Sequence, residues 1–146
     1  MSRQVVRGFD PGRFRALREA AGLSRADIAR RGGLSVNTIS TWERGIAIPN
    51  VDTLAAAVDV IGAAMADVVI VADDELTLAD LRVRAGLTQP QLAAAASLAT
   101  TTVAYLEQGH LTLGPHHTER LADALHLPPD QIIDASERSR IRDDSL

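Results

Sequence analysis

Between residues 36 and 41 stand Val36, Asn37, Thr38, Ser40 and Thr41, side chains that are short and, Val36 aside, polar. Such side chains are suited to recognition rather than to making or breaking bonds. The Asn37 carboxamide sets a donor beside an acceptor and can pair with a planar edge that offers the complement, and Val36 presents an apolar tip. Arg25 precedes this run and Arg44 follows it. A guanidinium is planar and always charged, and it pairs bidentately with oxyanions. No arrangement of residues suited to covalent chemistry is found. There is no cysteine, so a disulfide framework, thiol catalysis and a zinc–thiolate site are excluded. His110, His116, His117 and His126 carry no HExxH spacing and no carboxylate at ligand spacing on the same helical face. His116 and His117 are adjacent and point in different directions on a helix, so structural or surface roles are expected and no metal. With no glycine-rich phosphate loop and no Ser/His/Asp arrangement, neither an enzyme nor a cofactor is expected.

The recognition run must be held by helices. Asp10-Pro11 reads as an N-cap followed by proline at the first helical position. Phe14, Leu17 and Ala21 then share a face, and Gly22 ends the helix. Ser24 caps a second helix, with Asp27 three residues on as part of a capping box. Ile28 and Ala29 face inward, and Gly32-Gly33 forms the turn. Ser35 caps a third helix, which buries Ile39 and Trp42 and stops at Gly45. Trp42 shares a face with Ile39 and is expected in the core. Pro49-Asn50 starts a fourth helix with Leu54, Ala57, Val58 and Ile61 on its apolar side.

The plan is used twice. Residues 17–45 align without a gap on residues 81–109 at an offset of 64, with ten of 29 positions identical. The matches include Leu17/Leu81, Arg18/Arg82, Gly22/Gly86, Leu23/Leu87, Ala29/Ala93, Glu43/Glu107 and Gly45/Gly109. Alanine richness supplies two or three matches by chance, but not both glycines, the arginine and the glutamate together. In the second copy Leu78, Leu81, Leu92, Leu98, Val103, Leu106, Leu121, Leu125 and Ile132 are expected inside. Between the copies, Val68-Val69-Ile70-Val71 is β-branched throughout. It reads either as a short strand, which needs a pairing partner such as the same strand of a second subunit, or as the buried end of a fifth helix. The segment from Ser136 to Leu146 is charged and polar and is expected to fray.

The chain of 146 residues is 46% apolar but only 3% aromatic, so its core must be aliphatic and alanine-rich, which favours helices. Net charge is −4, unevenly spread. All fifteen basic residues are arginine; nine of them lie in residues 1–44 with four acids, a balance of +5, whereas residues 73–146 balance at −6. The two halves therefore face different electrostatic partners. The start, Met1-Ser2-Arg3-Gln4, shows no signal peptide. No apolar run approaches the roughly 20 residues of a membrane helix.

The pattern LR-x-x-x-GLS-x-x-x-IA…S-x-x-TIS-x-WE-x-G-x-x-x-P resembles the lambda-repressor-like, Cro-type (XRE) helix-turn-helix family. The first copy matches over about residues 10–62 and the second over about 76–133. The resemblance implies an all-α chain of two tandem bundles of four to five short helices. It implies a third helix placed in the major groove of double-stranded DNA, a groove about 12 Å wide that admits one helix. Carried over position by position, Val36, Asn37, Thr38, Ser40 and Thr41 would read bases; Asn37 suits adenine and Val36 a thymine methyl. Ser24, Arg25, Ser35 and Arg44 would contact phosphate. Arg18 with Glu43, and Arg82 with Glu107, occupy positions where the family forms internal ion pairs.

The second copy has Gln89, Thr100, Thr101, Thr102 and Tyr105 at the matching positions, a possible second DNA site. Yet Ala99 replaces the capping serine, Pro90 follows Gln89, and the second and third helices carry no cation. Without phosphate neutralisation the non-specific attraction to DNA largely vanishes. This copy is thus either a second reader or a degenerate one used for dimerisation or for a protein partner. The expected organisation is a DNA-binding domain at 1–66, a linker or short strand at 67–75, a second helix-turn-helix-like domain at 76–134 and a flexible tail at 135–146. The implied function is a cytoplasmic, nucleoid-associated, homodimeric transcriptional regulator, most naturally a repressor. An antitoxin repressing its own operon, and an interaction module that has lost DNA, are the alternatives.

Overall fold

The computed structural model describes residues 6–144, with side chains through 141; Arg3, counted among the basic residues above, lies outside them. The described residues form ten α-helices: α1 (Pro11–Ala20), α2 (Arg25–Gly32), α3 (Val36–Glu43), α4 (Val51–Ile61), α5 (Met65–Val68), α6 (Leu78–Arg84), α7 (Gln89–Ala96), α8 (Thr100–Gln108), α9 (Pro115–Leu125) and α10 (Pro129–Asp144). A 3-10 turn at Asp73–Glu75 precedes α6. The chain divides into two compact units, Met1–Ile70 and Val71–Leu146.

In the first unit the caps form where the sequence puts them. Asp10 accepts from the Arg13 backbone N–H, and Pro11 occupies the first turn of α1. Both halves of the Ser24/Asp27 capping box are made, at 3.0 and 2.8 Å. Helix α2 packs on α3 and α4. The core is Phe14, Ile28, Ile39 and Leu54, fully buried, with the Phe9, Phe14 and Trp42 rings meeting at centroid distances of 5.8–6.5 Å. Ala21, expected on the apolar face of α1, is an exposed C-cap; the inward position is held instead by Arg18.

The β-branched run between the copies resolves into parts of both readings. Its first residue, Val68, ends the single-turn helix α5. Then Val69 forms one antiparallel bridge with Phe9, framed by Asp10 N–H to Val68 C=O and Ile70 N–H to Gly8 C=O, both 2.8 Å. The pairing partner is thus the unit's own leading segment rather than a second subunit. The expected linker at 67–75 is correspondingly shorter, because Val68 and Val69 are buried in the first unit while Val71 belongs to the core of the second.

The second unit repeats the first at the sequence offset: α7 and α9 correspond end to end with α2 and α4. The left-handed backbone positions repeat too. Gly22, Gly33, Gly45 and Gly62 are matched by Gly86, Ser97, Gly109 and His126, all with φ between 56° and 82°. Leu78, Leu81, Leu92, Val103, Leu106, Leu121, Leu125 and Ile132 are buried, and Leu98 packs at the edge of the same core. The copies part at their last helix. Helix α5 stops after four residues, where branched side chains favour extended backbone; α10 starts at the equivalent position and runs for sixteen.

The expectation of a frayed tail is therefore corrected as far as Asp144; residues 145–146 lie outside the described residues. Ser136 and Ser139 are buried, and the Ser139 hydroxyl accepts from the Leu78 N–H and donates to the Ala135 carbonyl. The helix also runs so close to α8 that a Cβ on Gly109 would meet the Arg140 Cα at 3.0 Å.

Candidate nucleic-acid interface

The third helix of the first unit is sorted by its own geometry. At about 100° per residue, Val36, Asn37, Ser40, Thr41 and Arg44 fall within an arc of roughly 140°, and each is exposed or half-exposed. Ile39 and Trp42 are buried on the opposite side. Thr38 lies at the edge of the arc. Its backbone N–H is capped by the Ser35 hydroxyl, and the two hydroxyl groups are 2.8 Å apart. The Thr41 hydroxyl donates to the Thr38 carbonyl at 2.7 Å. Thr38 and Thr41 are thus partly committed to holding the helix. The Asn37 carboxamide and the Ser40 hydroxyl make no side-chain hydrogen bond among the described residues, and they stand ready for a ligand beside the Val36 methyl groups.

Arginines flank this arc in two different states. Arg25 lies at the first position of α2, with its Nε 3.0 Å from Glu43 Oε1 and its side chain 39% exposed. Glu43 is almost fully enclosed and also receives Arg18 Nε at 2.6 Å and Arg18 Nη2 at 2.9 Å. Burial pushes the Glu43 carboxyl up, but hydrogen bonds from Arg18 and Arg25 outweigh it and hold it below its ordinary value. The hydrogen bond to Glu43 likewise raises Arg18. The Arg18–Glu43 pair expected from the resemblance is therefore present, with Arg25 as a third member. Glu43 holds Arg25 by its Nε alone, and Arg25 is the first residue of α2. There the Arg25 and Ala26 backbone N–H groups precede the first helical acceptors, an arrangement that favours an oxyanion. Ser24, expected near phosphate, is the N-cap of this helix. Arg44 is exposed, and its Nε reaches only the Ser40 carbonyl at 3.4 Å.

The second unit keeps the frame of this site and loses its charge. Arg82 Nε and Nη2 meet Glu107 at 2.6 and 3.1 Å. Gln89 stands in for Arg25 and donates to Glu107 Oε1 at 2.9 Å, from a buried position. Pro90 replaces Ala26 and removes one backbone donor. On α8 the exposed arc is Thr100, Thr101, Ala104, Tyr105 and Gln108, with Thr102 half-buried at its edge. No side chain caps α8 at Ala99.

Ile46 and Ile48 had no role in the sequence reading, and His117 was expected only in a structural or surface role. Ile46 and Ile48 are exposed at the exit of α3; an apolar pair bracketed by Gly45 and Pro49, off any helical period, was the only trace. His117 Nδ1 accepts from the Gly114 N–H at 3.0 Å and so closes the start of α9. Burial, then the His116 and Arg120 charges, hold His117 below its ordinary value, which keeps Nδ1 free to accept. His116 stacks beside it at 3.9 Å.

A capped second helix set against an exposed polar third helix, locked by a buried carboxylate–guanidinium pair, defines a helix-turn-helix unit, and this chain has two. The sequence profile described as helix-turn-helix domain matches residues 12–69 and again residues 76–132. The chain belongs to that family. No curated protein matches it.

Proposed function

We propose that this protein is a sequence-specific regulator of transcription that reads double-stranded DNA with α3 of its first unit. The observation that carries the proposal is the exposed arc from Val36 to Arg44, with Arg25 held by Glu43. A helix with side chains is about 10–12 Å across and fills a major groove. Phosphate contacts from Arg25, Arg44 and the start of α2 would set register and most of the affinity; Asn37, Val36 and Ser40 would set sequence. The Cro-like pattern of the first copy supports repression by occupying promoter DNA, and with it a homodimer on a symmetric site and a place at the nucleoid. The second unit's uncharged face, with Pro90 and Gln89 where Ala26 and Arg25 stand in the first, supports a protein-binding role there: dimerisation, or a partner such as the toxin of an antitoxin pair.

The test uses the full chain and a site selected in vitro from random duplex DNA. Asn37→Ala should weaken binding to that site by about 1–3 kcal/mol and leave bulk DNA binding alone. Arg44→Ala should weaken binding to every sequence and reduce the salt slope by about 1. Arg44 is the cleaner phosphate probe, because Arg25→Ala would also disturb Glu43. Unchanged affinity and slope in both variants would remove α3 from the DNA interface.

A further inference from the structure

The second unit contains an open cavity of about 680 Å³ between α9, α10 and the loop before α9. Pockets for small organic ligands span roughly 300–1,000 Å³. The first unit has no counterpart of this groove's outer wall, because α5 ends after four residues where α10 continues. The floor is apolar, formed by Leu113, Ala122, Leu127 and Ile133. Three carboxylates, Glu119, Asp123 and Glu137, also line it, against the single guanidinium of Arg140. Arg140 pairs with Glu137 at 3.4 Å. Glu119 and Asp123, one helical turn apart on α9, make no ion pair among the described residues.

A second observation lies deeper in the cavity. Ser136 lines it and is 5% exposed, yet its hydroxyl makes no hydrogen bond among the described residues. A buried helical serine ordinarily bonds the carbonyl four residues back, as Ser139 does with Ala135. The hydroxyl borders the open cavity, where a donor from a ligand can reach it. An apolar floor, two unpaired carboxylates and a waiting hydroxyl together specify a ligand with an apolar body and a positive head that carries N–H donors.

We propose that the groove between α9 and α10 binds a small organic ammonium with an apolar body. Its N–H groups bond the Ser136 oxygen and face Glu119 and Asp123, while its hydrocarbon covers Ala122, Leu127 and Ile133.

The experiment titrates full-length protein by calorimetry with 2,2-diphenylethylammonium. Diphenylacetate, nearly the same shape with the opposite charge, is the control. The ammonium should bind at one site per chain and diphenylacetate should not. Glu119→Gln and Asp123→Asn should each weaken the ammonium by up to about fivefold, and Ser136→Ala by about fivefold. Ile133→Arg, at an exposed position, should abolish binding while far-UV circular dichroism stays unchanged. Asp52→Asn with Asp59→Asn, in the first unit, should leave it intact. The proposal is overturned if the ammonium does not bind at millimolar concentration, or if diphenylacetate binds as well. It also fails if Ile133→Arg, or Glu119→Gln combined with Asp123→Asn, changes nothing, or if the Asp52/Asp59 variant loses as much, since attraction to net charge would then suffice.

Discussion

Arg25 and Gln89 begin equivalent helices and donate to equivalent carboxylates, but only one brings a charge. Glu43 is met by two guanidinium groups, and Glu107 by the Arg82 guanidinium together with a neutral amide. Deleting one partner of a buried pair leaves an uncompensated charge and costs about 3–5 kcal/mol. Arg82→Ala should therefore lower the stability of the second unit by that amount. Arg18→Ala should cost the first unit less, because Arg25 still faces Glu43. Urea unfolding separates the two losses: the single tryptophan, Trp42, reports the first unit by fluorescence, and helicity lost without a change at Trp42 reports the second. A larger loss for Arg18→Ala would contradict the argument. The two long-range pairs were legible through the family resemblance, and Arg18, Glu43, Arg82 and Glu107 repeat in register. Arg25's attachment to Glu43 was not, since nothing in the spacing of residues 25 and 43 says which guanidinium group reaches a carboxylate already paired.

At the scale of the element, caps decided most of what was readable. Asp10, Ser24 and Ser35 stand where helices begin, and each side chain accepts the expected backbone N–H. Helix α8 lacks this device, although Ala99 has the extended backbone of an N-cap at φ −72° and ψ 146°. Ala99→Ser should supply the bond to the Thr102 N–H and stabilise the second unit by about 1 kcal/mol; an unchanged urea midpoint would show that the serine does not cap. What the sequence hid was α10. Its inward positions are Ile132, Ala135, Ser136 and Ser139, an inner face half made of serine, so no apolar stripe marked it. The β-branched run was ambiguous for the opposite reason. Its side chains suit both extended backbone and burial, and the choice rested on the segment at Gly8–Asp10, which no local pattern identifies as a pairing partner.

On the scale of the whole molecule, fold and charge separate. The units share helix order, buried ion pairs and left-handed turns, yet the first carries nine arginines against seven acids and the second six against twelve. Phosphate neutralisation governs affinity for DNA, so replacing Thr100, Thr101 and Tyr105 together by alanine should leave DNA affinity and its salt dependence within about twofold of the parent. A marked loss in a gel-shift titration would make the second unit a reader as well. This division was visible in the sequence from the arginine distribution alone, while the α9–α10 cavity needed the three-dimensional path of α10.

The unequal last helices also bear on how the chain is made. The first unit is closed by Gly8–Asp10 pairing with Val68–Ile70, so every group it needs has been synthesised by Ile70. The second needs Ser139 to satisfy the Leu78 N–H and Arg140 beside Gly109. Domains fold as units while synthesis proceeds from the N-terminus. On the ribosome, the arginine-rich half can thus be finished while its acidic twin still waits, core uncovered, for the end of α10 to emerge. A nascent chain arrested between those points would hold a folded first unit tethered to an aggregation-prone half.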